Sequence, residues 1–60
     1  MNVEELIRKL EVHKKNLASI LKIVQKDFES SDKEWVCMKL RAVIGFLNYL
    51  IEDLKKVGDG

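Results

Sequence analysis

The chain has 60 residues, with 11 Lys and Arg against 10 Asp and Glu, one Cys, one His and no Pro. A chain this short forms one domain at most, and a single cysteine excludes an intramolecular disulfide. The near-neutral charge excludes the basic excess of a strong nucleic-acid binder, and the apolar content of 47% excludes disorder. We therefore expect one ordered helical domain that depends on good packing or on a partner chain.

The first predicted element is a helix over about residues 2–28. Its apolar residues recur at heptad spacing, and neither Gly nor Pro interrupts them, so they share one face of the helix. A histidine, His13, stands in one of the apolar rows. The two rows are Val3, Leu10, Leu17 and Val24, and beside them Leu6, His13 and Ile20.

A turn at about residues 29–31 and a second helix over about 32–57 follow. Ser31 and Glu34 match a capping box, which predicts the start of the second helix. Gly58 favours a left-handed helix end. The short turn makes the helices antiparallel neighbours. The stripe expected to pack on the first helix is Val36, Leu40, Val43, Leu47, Leu50, Leu54 and Val57.

The second helix carries more apolar surface than this stripe, over more than half of its circumference. Large exposed apolar patches usually mark association sites. We therefore predict an all-α fold, an antiparallel two-helix hairpin that dimerises into a four-helix bundle. Alternatively, a different protein covers this surface, and the chain is a small subunit or an inhibitor of a hetero-complex. The residues predicted to line the dimer or partner interface are Trp35, Met38, Ala42, Ile44, Gly45, Tyr49 and Ile51.

Three polar or small residues suggest more specific roles. If the hairpin is symmetric about its turn, His13 lies opposite Asn48, and we interpret the two as a polar core layer. A pH-sensitive or metal-binding layer formed by His13 of two chains is the alternative. Ala42 and Gly45, three residues apart, favour close approach of helices. Cys37 is interpreted as a small buried hydrophobe, because a nucleophile needs a base within reach.

Basic residues follow the outer side of the first helix. They indicate a possible nucleic-acid contact through phosphates, and an ordinary solvated face is the alternative. The residues concerned are Arg8, Lys15, Lys22 and Lys26.

No motif of a known family is recognised, and no acid, base and nucleophile converge. We predict a non-catalytic, regulatory or adaptor-like protein that acts by protein–protein association as a homodimeric bundle. Nucleic-acid binding through the basic residues is the first alternative, and a subunit or inhibitor of a hetero-complex is the second. We expect no cofactor, metal or small-molecule substrate. The absence of a long apolar run or of a signal-peptide pattern predicts a cytoplasmic protein without a membrane partner.

Overall fold

The computed structural model describes residues 2–59, apart from the side chain of Asp59. It contains two helices, α1 (Val3–Asp27) and α2 (Lys33–Asp59), and these described residues include no strand. The helices pack side by side into a rod with extents of 46 × 14 × 14 Å. The predicted all-α hairpin is confirmed. Met1 and Gly60, the ends of the predicted single domain, lie outside the described residues.

The start of α1 is capped by Asn2. Its side-chain oxygen accepts a hydrogen bond of 2.7 Å from the backbone N–H of Glu5. This bond satisfies one of the donors that a helix leaves free in its first turn. Glu4 and Glu5 also place negative charge there, where the helix dipole favours it. The helix ends where Phe28 takes an extended backbone, with its N–H still bonded to the Val24 carbonyl at 3.2 Å.

The turn between the helices is held by Ser30, and the predicted capping box of Ser31 and Glu34 is wrong. The Ser30 hydroxyl accepts a hydrogen bond of 3.1 Å from the N–H of Asp32, and its carbonyl accepts one of 3.1 Å from Lys33. Because α2 begins at Lys33, Ser31 lies one position too early in the chain to cap it.

The end of α2 also differs from the prediction. Gly58 continues the helix, which extends to Asp59, and no glycine within residues 2–59 has a positive φ. A Cβ added at Gly58 would lie 3.6 Å from Cγ1 of Val3, an ordinary contact distance. The end of α2 therefore packs beside the start of α1, and the predicted left-handed Gly58 is wrong.

Most of the residues withdrawn from solvent recur in each helix at alternating steps of four and three, and we call these recurring residues the contact line. This spacing keeps one line of each helix against the other over the whole rod. In α1 the contact line is Val3, Ile7, Leu10, Lys14, Leu17, Leu21 and Val24. In α2 it is Lys33, Cys37, Leu40, Ile44, Leu47, Ile51 and Leu54.

The buried side of α2 is rotated relative to the predicted stripe. Cys37 and Ile51 are the buried hydrophobic side chains of the described chain, 5% and 2% exposed, and Ile44 between them is half-buried. Val43 and Val57, which the prediction placed against α1, are exposed. A helix with a single neighbour can bury only one narrow line, and here that line passes through Cys37. Ile44 and Ile51 thus pack inside the hairpin, which corrects their predicted place on a free interface.

Candidate interaction surfaces

One side of the hairpin carries an apolar row from each helix, and we call this side the apolar face. Its α1 residues each precede a contact-line residue by one position, and so do most of its α2 residues. One step back along a helix is a rotation of about 100°. Because the helices run antiparallel, the rotation in each helix points to the same side of the hairpin. The apolar face consists of Leu6, His13, Ile20, Val36, Val43, Leu50 and Val57.

Much of the apolar face is open to solvent. Val43 is 44% exposed and Val57 67% exposed, and Ile20 is exposed to a similar degree as Val43. Leu6, Val36 and Leu50 are half-buried, because each also borders the contact line. An apolar surface that follows both helices of a rod is the kind that another helical surface covers.

The predicted polar core layer is not formed within the hairpin. His13 and Asn48 are both exposed. The residue that reaches Asn48 is Lys14, whose Nζ donates a hydrogen bond of 3.1 Å to Oδ1 of Asn48. Lys14 lies on the contact line, where its aliphatic stem is half-buried while the ammonium group stays hydrated. The pairing was missed because a lysine in an apolar stripe reads as a surface residue.

The remaining residues of the predicted interface lie on α2 away from the contact line. Trp35, Ala42 and Tyr49, seven residues apart, form a row on the outer side of the helix, and all three are exposed. The Trp35 ring is 5.4 Å from Nζ of Lys39, which places a cation over its face. Met38 is 55% exposed on the side away from the apolar face. Four further exposed apolar residues of the described chain lie outside the predicted interface and the apolar face: Val12, Ile23, Phe28 and Phe46.

Gly45 is exposed on α2, and no atom lies within 4 Å of a Cβ placed on it. It follows Ile44 in the chain, so it faces away from the apolar face. We therefore expect Gly45→Ala to stabilise the protein by about 0.5–1 kcal/mol, because alanine favours the helix. Urea denaturation at a fixed protein concentration measures this. A destabilised variant would show that the glycine permits a close contact with another helix, as its pairing with Ala42 predicts.

A second surface, the basic row, consists of Arg8, Lys15 and Lys22, with Lys26 one turn further on. Arg8, Lys15 and Lys22 each follow a contact-line residue by one position. The basic row therefore lies on the side opposite the apolar face. All four side chains are exposed. The ion pair found among the described residues joins Lys55 to Glu52 at 3.4 Å, so the four cations have no carboxylate partner within that part of the chain.

An open groove near the turn is lined in part by Gln25, Cys37, Met38 and Arg41, without a histidine beside the thiol. The side chains of residues 2–58 form no group of three or more metal-binding residues. In the same part of the chain, neither helix is long and apolar enough to cross a membrane.

Neither a protein-family model, nor a curated protein, nor a solved structure matches this chain. The two surfaces must therefore be interpreted from their own chemistry.

Proposed function

We propose that this protein is a non-catalytic, regulatory or adaptor-like module that associates through its apolar face into a homodimeric four-helix bundle. The observation that carries the proposal is the exposure of two apolar rows on one side of an antiparallel hairpin. A free thiol, Cys37, suits a reducing compartment, so we place the module in the cytoplasm. A dimer of this kind needs no ligand to complete its core.

The spacing of the apolar rows makes the face complementary to itself. The hydrogen bond between Lys14 and Asn48 places these residues at similar heights along the rod, within the reach of a lysine side chain. His13 and Leu50 are then level to within about one helical turn, or 5.4 Å. Because both rows repeat every seven residues, their other members also fall into common layers. A second copy related by a two-fold axis, either parallel or perpendicular to the rod, therefore packs its apolar layers against those of the first copy.

The test is the mass of the purified chain by light scattering over a dilution series. The proposal predicts the mass of two 7.0 kDa chains that persists to low micromolar concentration. A folded monomer at all concentrations would contradict the homodimer. It would favour the hetero-complex alternative, in which a different protein covers the apolar face and this chain acts as its small subunit or inhibitor.

A second candidate function is nucleic-acid binding, which the position of the basic row favours. A dimer formed through the apolar face leaves the basic row of each copy free on the outside. Lysine and arginine on a helix neutralise phosphates without reading sequence, so this binding would weaken steeply as salt is raised.

For this second function we expect a labelled RNA or DNA duplex to bind at about 50 mM salt and to be released at about 200 mM. Lys15→Glu/Lys22→Glu should abolish binding. Lys55→Glu/Lys56→Glu makes the same change in net charge at the far end of α2 and should retain it. Absence of binding at low salt, or equal loss in both variants, would reject the basic row as a specific contact.

A further inference from the structure

His13 is the one residue of the apolar face that changes charge near neutral pH. The other six members are Leu, Ile or Val, while an imidazole takes up a proton between about pH 5 and 8. His13 is exposed in the hairpin. It lies near the middle of α1, which spans Val3–Asp27. A second helix that packs along the apolar face therefore covers it.

The charges around His13 within its own chain are mainly positive. On α1, Lys9 is one turn before it and Lys14 is the next residue. On α2, the neighbouring level carries Tyr49 and the half-buried Leu50, and Asp53 lies one turn further on at an exposed position. Lys9 and Asp53 thus each lie about one turn from His13 along the rod, and Lys14 is adjacent to it in the chain.

A second copy adds an apolar neighbour in either two-fold arrangement. If the turns lie at opposite ends of the bundle, α1 meets α1. With the two-fold axis midway between the layers of His13 and Ile20, which pairs all four α2 residues of the apolar face, the layer of His13 contains Ile20 of the second copy, with that copy's Asn16 and Ile23 one turn away. If the turns lie at the same end, α1 meets α2, and the layer contains Leu50 of the second copy, with its Tyr49 and Asp53 nearby. The histidine is enclosed by aliphatic side chains in both cases.

We propose that His13 makes the dimer a pH switch, which holds together while the imidazole is neutral and opens when it is protonated. This inference rests on the proposed homodimer. An exposed histidine in the monomer accepts a proton more readily than an enclosed one in the dimer, because burial disfavours the charged form. Protons therefore bind the monomer preferentially. The dimer is fully stable above the range in which histidine titrates and is lost as the pH falls through it.

The test is sedimentation equilibrium of the wild-type chain and of His13→Leu at about pH 8 and about pH 5.5. We expect the wild-type dissociation constant to rise on the order of tenfold or more at the lower pH, since each dimer holds two of these histidines. His13→Leu leaves no histidine in the chain and should dimerise more tightly, with no change between the two conditions. His13→Gln, neutral and polar, should dimerise more weakly than His13→Leu but be equally insensitive to pH.

Three results would overturn the switch, and circular dichroism of each variant ensures that folded chains are compared. A wild-type dimer with the same dissociation constant at both pH values would reject it and leave the dimer standing. A pH dependence retained in His13→Leu would assign the effect to carboxylates such as Asp53. A wild-type monomer at pH 8 would reject the dimer itself, and the switch with it.

Discussion

Val43→Glu should convert the dimer into a folded monomer. Val43 is 44% exposed, and it is absent from the contact line that holds the hairpin together. A glutamate there remains hydrated in the monomer and retains good helix propensity. In the dimer, however, the carboxylate would be enclosed by Ile20 and by apolar-face side chains of the second copy, which include His13 when the turns lie at opposite ends, and neither arrangement places a lysine or an arginine in its layer. Burial of an unpaired charge costs several kcal/mol per copy. This cost, incurred by both copies, is enough to dissociate a dimer of micromolar affinity.

Light scattering together with circular dichroism measures this prediction. The expected variant has the mass of one chain and the helix content of the wild type. Met38→Glu is the matched control, because it introduces the same charge at an apolar residue of α2 that is 55% exposed on the opposite side. That control should remain a dimer. The reverse result, a monomeric Met38→Glu and a dimeric Val43→Glu, would place the interface on the side of α2 that carries Met38.

Ile51→Ala should destabilise the hairpin more than any other single truncation to alanine. Ile51 is 2% exposed, the lowest value among the described residues that form the core, and it packs where α2 meets the first half of α1. Removal of a buried isoleucine to alanine costs about 2–5 kcal/mol through lost burial and the cavity left behind. Domains of this size have only a few kcal/mol of stability, so the variant should be largely unfolded at 37 °C.

Thermal and urea denaturation at one protein concentration provide the measurement, since the stability of a dimer depends on concentration. Ile23→Ala is the control, because it removes the same atoms from a side chain that is 59% exposed on α1. It should change the unfolding free energy by no more than about 0.5 kcal/mol. Equal effects of the two substitutions would mean that Ile51 is not the central residue of the core.

The helices themselves could be predicted from the sequence, because their signals are local. Heptad spacing, the lack of Pro and the lack of Gly in α1 favour helix regardless of what the helix packs against. The serine whose hydroxyl holds the turn was predicted one residue away from Ser30 because two adjacent serines have the same local propensity. Which of them bonds depends on the path that the chain takes into α2.

The rotation of α2 could not be predicted in the same way. Its apolar residues cover more than half of the helix, so several lines along it are apolar enough to face α1. The choice of the line through Cys37, Ile44 and Ile51 depends on packing between the helices, which is a tertiary property. One signal was available: Glu52 follows Ile51 and Arg41 lies beside Cys37, so this line borders the charged side of α2. A helix that contacts one neighbour here leaves its wider apolar side free.

The hydrogen bond between Lys14 and Asn48 has a consequence for the register of the hairpin. A heptad pattern is nearly unchanged by a slip of seven residues, so apolar packing alone discriminates poorly between registers. Such a slip would move Lys14 from Asn48 to a position beside Arg41 in one direction, or beside Lys55 in the other. Both alternatives oppose two positive charges and leave the amide of Asn48 without its partner. The polar pair at mid-length and the short turn between Asp27 and Lys33 therefore act together to favour a single alignment of a repetitive sequence.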